Sequence, residues 1–172
     1  MENIKNFVAW LQTIQLAQVI DIIIGVLIYI LFRCLNKSLS YITIRIFKPK
    51  AKNKKEIRNN AFYNPLTVLY TILGAYLGIL FIKTPLNINE SIMVIINKIF
   101  KIAVIILFAK AFANSLTTKS RFFNKIKERV NPDVDDSMYS FILKAVRFII
   151  YIIAGFLVIT ELGYNLNGLV AG

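Results

Sequence analysis

Histidine is missing from this 172-residue chain, and cysteine occurs once, at Cys34. The first absence removes imidazole acid–base chemistry and the usual zinc clusters. The second removes any disulfide within the chain. Acidic residues are scarce, 9 Asp and Glu against 21 Lys and Arg, and they form no recognisable catalytic constellation. Neither an enzyme nor a cofactor or metal site is expected.

What the chain has in quantity is apolar surface. Hydrophobic residues make up 57% of it and the mean hydropathy is +0.63, above what a water-soluble domain of this length carries. A basic excess on a polar surface would suggest a nucleic-acid partner. Here the basic residues gather in two short segments between apolar runs, the placement of cytoplasmic loops that face anionic lipid headgroups, so no nucleic acid is expected. Only Lys5 precedes the first long apolar run, while Arg33 and Lys37 follow it. That order is the reverse of a cleavable signal peptide and predicts a retained anchor with its N-terminus outside.

Ile4, Phe7, Val8, Leu11 and Ile14 recur at helical spacing, so residues 1–15 read as a short amphipathic helix in the membrane interface. Leu16 to Leu35 is the first spanning run, about the length needed to cross hydrocarbon at ~1.5 Å per residue. The next segment holds seven basic residues, Arg45, Lys48, Lys50, Lys52, Lys54, Lys55 and Arg58, with Pro49 as a helix breaker, and is expected to be cytoplasmic. A second span, free of charge, runs from Pro65 to Ile82. A third lies between Ile92 and Leu116, with Lys98 and Lys101 reaching one headgroup layer and Lys110 the other. Residues 117–136 carry Lys119, Arg121, Lys125, Lys127 and Arg129 and read as a basic cytoplasmic linker. Asp135, Asp136 and Ser137 then supply helix-start chemistry for a fourth span, 137–162. Residues 16–116 thus form a three-helix membrane region. The fold class is all-α: a polytopic membrane protein with four transmembrane helices and, from Gly168 on, the start of a fifth.

Leu162, Gly163, Asn165, Leu169, Ala171 and Gly172 follow the pattern of an outer turn leading into a helix of small residues. In this the tail resembles the small-conductance mechanosensitive (MscS-type) channel family, whose lipid-facing helix, outer turn and glycine- and alanine-rich pore helix come in that order. The resemblance covers roughly a quarter of the chain. It implies that 137–162 is the lipid-facing helix, that 163–172 is the outer turn and pore-helix start, and that Gly168, Leu169, Ala171 and Gly172 pack against neighbouring subunits. It also implies a homo-oligomer, seven subunits in the family, in a bacterial plasma membrane, permeated by ions and opened by lipid tension on hypo-osmotic shock. The family's gate and β-rich vestibule lie beyond Gly172, so the chain is expected to be a piece of a longer polypeptide. Small residues at a pore helix have a physical basis, because several backbones must approach one axis closely.

Lys144 and Arg147 share one face of the fourth span near its inner end. They are candidates for coupling tension through lipid phosphates, beside the plainer role of snorkelling to the headgroups. Asp21, inside the first apolar run, is a candidate ion-pair partner for Lys98 or Lys101, placed in the same leaflet, while Glu161 is expected to be solvated beside the turn. The same three residues would be the polar site of a secondary transporter, the rival class. Regularly spaced arginines, which a voltage sensor needs, are lacking.

Overall fold

A computed structural model of the chain describes residues 16–48, 53–116 and 136–164. The interfacial helix expected at 1–15, the linker up to residue 135 and the tail from Asn165 lie outside the described residues. Within them there are helices and turns and no strand: α1 (Leu16–Phe47), α2 (Lys54–Arg58), α3 (Tyr63–Ile82), α4 (Glu90–Ser115) and α5 (Asp136–Leu162). α1, α3, α4 and α5 are each long and apolar enough to cross a membrane.

α1 differs from expectation. Instead of leaving the helix near Leu35, the chain stays helical to Phe47. The polar residues that marked an exit are satisfied in place. Ser40 and Thr43 hydroxyls donate to the carbonyls of Asn36 and Leu39 one turn back, at 2.7 and 2.9 Å. At ~1.5 Å per residue a 32-residue helix is about 48 Å long, well beyond a hydrocarbon slab of about 30 Å.

α3 returns antiparallel to α1, and glycine decides how close they come. Gly25 lies against Gly78 and Ile82, and Gly74 lies under Phe32. Toward the other end three polar contacts tie the pair: Asn36 Nδ2 to Thr71 Oγ1 at 2.9 Å, Thr67 Oγ1 to Ser40 Oγ at 3.1 Å, and Thr43 Oγ1 with the Tyr70 hydroxyl at 2.7 Å. Ser40 is fully buried. Beyond that seam Ile44, Ile57 and Tyr63 form a small core, which seats α2 as a lid across the end of the hairpin. Asn60 Oδ1 accepts from the Phe62 amide at 3.1 Å and turns the chain into α3.

The turn between α3 and α4 closes with Asn87 at φ +47°, and the Asn89 side chain caps α4 by accepting from the Ser91 amide at 3.2 Å. Aromatic contacts then set the register of the antiparallel pair: Phe62 meets Phe112 edge-to-face with centroids 5.5 Å apart, and Tyr76 stacks on Phe100 at 4.3 Å. Large apolar side chains of α1, α4 and α5 point outward, among them Leu27, Ile99 and Phe148, as a lipid-facing surface requires.

Candidate functional site

The charged groups of the expected outer leaflet meet at the end of α5. Lys101 Nζ lies 2.8 Å from Glu161 Oε1, and Lys98 Nζ donates to the Leu162 carbonyl at 3.4 Å. Glu161 is therefore ion-paired, not simply solvated; its side chain is 24% exposed against 60% for Lys101. Asp21 takes no part in an ion pair among the described residues, and it sits on α1, whose neighbour is α3 rather than α4. The expected partnership of Asp21 with Lys98 or Lys101 gives way to an α4–α5 pairing, because the antiparallel register brings the last turn of α5 beside the third and fourth turns of α4.

Physical chemistry favours cations at this point. Carbonyls of a last helical turn lack intrahelical partners and carry the negative end of the helix dipole. Gly163 ends α5 in the left-handed region at φ +103°, its amide donating to Thr160 O at 3.0 Å while Tyr164 N donates to Ile159 O at 3.3 Å. The Lys98 ammonium stands beside that glycine and takes the carbonyl of Leu162.

One turn of α4 also binds the opposite neighbour. The Tyr76 hydroxyl donates to Asn97 Oδ1 at 2.8 Å, and the Tyr76 ring covers Phe100. Asn97 and Phe100 thus hold α3 while Lys98 and Lys101 hold α5. The segment from Glu90 to Lys98 runs on past the end of α5, about 12 Å at ~1.5 Å per residue.

At the other end of α5, Tyr139 and Leu143 are buried and pack with Leu116, so α5 is fastened to α4 near both its ends. Lys144 is exposed, and Arg147 is half-buried, with its Nε out of reach of solvent and without a hydrogen-bond partner among the described residues. Asn165, Gly168, Leu169, Ala171 and Gly172 lie outside the described residues. The Gly74 and Gly78 spacing reads in the sequence as ordinary helix packing, and the two residues do pack, against Phe32 and Gly25 of α1. Sequence reasoning missed the Lys101–Glu161 pair. The available signal was topological, since antiparallel spans put both residues toward the same leaflet.

No protein-family profile matches the chain, and neither does any solved structure. Among curated proteins it is similar to an uncharacterized MscS family protein, YhdY, of Bacillus subtilis strain 168, at 30% identity over 165 residues, 94% of this chain. It is also similar to the large-conductance mechanosensitive channel MscMJLR of Methanocaldococcus jannaschii, at 21% identity over 154 residues, 90% of this chain. The chain spans 43% and 42% of the length of these two relatives. With 94% of its own length matched to an MscS family protein and four membrane-length helices among its described residues, this chain is a membrane region of the MscS-type family.

Proposed function

We propose that this chain is the membrane-embedded part of a tension-gated channel subunit that releases ions and small osmolytes on hypo-osmotic shock. The observation that carries it is the match to an MscS family protein across all four long helices. The subunits assemble around a common axis, seven by family resemblance, in a bacterial plasma membrane with the N-terminus outside. Residues 1–15 lie in the interface, 117–136 cross the cytoplasmic side, and α5 faces lipid. From Gly163 the chain turns outside, and Gly168, Leu169, Ala171 and Gly172 begin the pore helix, where small side chains let neighbouring copies pack closely.

Tension favours whichever state occupies more area in the bilayer plane, and a ligand or force acts only through such a difference between states. α5 offers lipid a broad apolar face, including Phe141, Phe148 and Phe156, and its Lys144 and Arg147 are the candidates for engaging phosphates of the inner leaflet. Tilting α5 outward draws the helix that follows away from the axis. A transporter site built on Asp21, Lys98 and Lys101 has less to rest on, because Lys101 is engaged by Glu161.

The test uses the full-length protein in a bacterium stripped of its own tension-gated channels. Suction on membrane patches is expected to open discrete conductances, and cells are expected to survive osmotic downshock. Protein present in the membrane with neither effect overturns the proposal.

A further inference from the structure

We propose that Lys101 and Glu161, helped by Lys98 on the Leu162 carbonyl, are positioning residues that hold the channel closed by tying the outward end of α5 to the upstream helices. The proposal rests on the channel function proposed above and names the contact that regulates it.

The argument begins with connectivity. Leu162 is the last residue of α5, and the pore helix is expected to begin six residues later, at Gly168. A contact on that last turn therefore acts on the pore segment through a short lever, whereas the Tyr139–Leu143–Leu116 contact acts at the far end of α5. The contact is also backed by a rigid body. Through Tyr76, Asn97 and Phe100 the same turn of α4 is locked to α3, and α3 is locked to α1 by glycine-mediated close packing and three polar bonds. Displacing the end of α5 from α4 thus means separating a lysine from a carboxylate and a second lysine from a helix-end carbonyl, against a framework that does not follow.

Local surroundings raise the cost. Glu161 is only 24% exposed, so little solvent would replace a lost partner. Removing one member of a partly desolvated pair costs more than the pair itself contributes, because the remaining charge stays behind uncompensated. The contact opposes sliding and parting of α5 relative to α4.

The experiment measures the tension needed for half-maximal opening, relative to a reference channel in the same patch, for the full-length protein and its K101M, E161Q and charge-exchanged K101E/E161K variants. Membrane levels are checked for each. K101M and E161Q are expected to open at lower tension, with the open-to-closed ratio at fixed tension raised about 5-fold or more, the lower range of coupling between distant sites. Single-channel conductance is expected to stay unchanged, since neither residue lies on the expected pore helix. The exchanged pair is expected to regain most of the wild-type threshold. Y76F, which loosens the same α4 turn from α3, is expected to move the threshold in the same direction and serves if the charge variants fail to reach the membrane. A wild type that opens while all variants open at its tension overturns the clasp alone, as does an exchanged pair no better than the single variants. A wild type silent under tension overturns the channel function itself.

Discussion

Gly25 of α1 and Gly78 of α3 face each other backbone to backbone, such that a Cβ on either would fall 2.7 Å from the carbonyl oxygen of the other. What such a Cβ meets is a backbone carbonyl, which cannot swing aside as the end of a side chain can. Packing of this kind replaces the hydrophobic effect as the force that joins helices in lipid.

Substituting Gly78→Leu is therefore expected to push α1 and α3 apart and to destabilise the hairpin by about 1–3 kcal/mol, the usual cost of overpacking. Equilibrium unfolding of the full-length protein in detergent checks this. Gly155, whose Cβ would meet nothing within 4 Å, is the control: Gly155→Ala should leave the stability of the same preparation nearly unchanged.

The polar seam makes a graded expectation. Ser40→Ala removes the acceptor of one Thr67 bond but leaves Thr67 its bond to the Tyr63 carbonyl at 2.9 Å, so the loss should be near the ~0.6 kcal/mol average for hydrogen bonds between membrane helices. Ser40→Lys puts a charge where the side chain is fully buried and should prevent the hairpin from forming at all. Protease resistance of the membrane-inserted protein distinguishes the two.

Orientation is open to chemical labelling. In a Cys34→Ser background, a cysteine at Lys55 is expected to react with a membrane-impermeant maleimide only after the cells are opened. A cysteine at Asn87, in the exposed α3–α4 turn, should react in intact cells. The opposite pattern would invert the proposed topology.

Neutralising both basic residues of the inner part of α5, Lys144→Gln with Arg147→Gln, should shift the opening tension in liposomes containing anionic lipid and leave it unchanged in purely zwitterionic ones. Attraction to an anionic surface is worth about 1 kcal/mol per basic residue and vanishes without the surface charge. Equal shifts in both membranes would assign Arg147, with its buried Nε, to packing within the protein.

The spans were legible where one physical signal ruled. α3 has no charge and a proline at a permitted early position, so Pro65–Ile82 was expected and Tyr63–Ile82 is found. Asp136 and Ser137 announced α5, which runs Asp136–Leu162. α1 was read only to Leu35, where the apolar run ends; the hydrogen bonds that Asn36, Ser40 and Thr43 make within the helix and to Thr67, Tyr70 and Thr71 depend on a partner helix that composition does not reveal. For the same reason the pattern of charges pointed to Asp21 as the partner of Lys98 or Lys101 and left Glu161 solvated, whereas Lys101 pairs with Glu161. The register of α4 against α5 is what brings that pair together.

That register has a consequence for the surrounding lipid. With Lys98, Lys101 and the exit of α5 together at the level of the outer headgroups, the first turns of α4 stand about 12 Å beyond the acyl chains. Lipid beside this end of the subunit therefore meets a step of protein, not a flush edge.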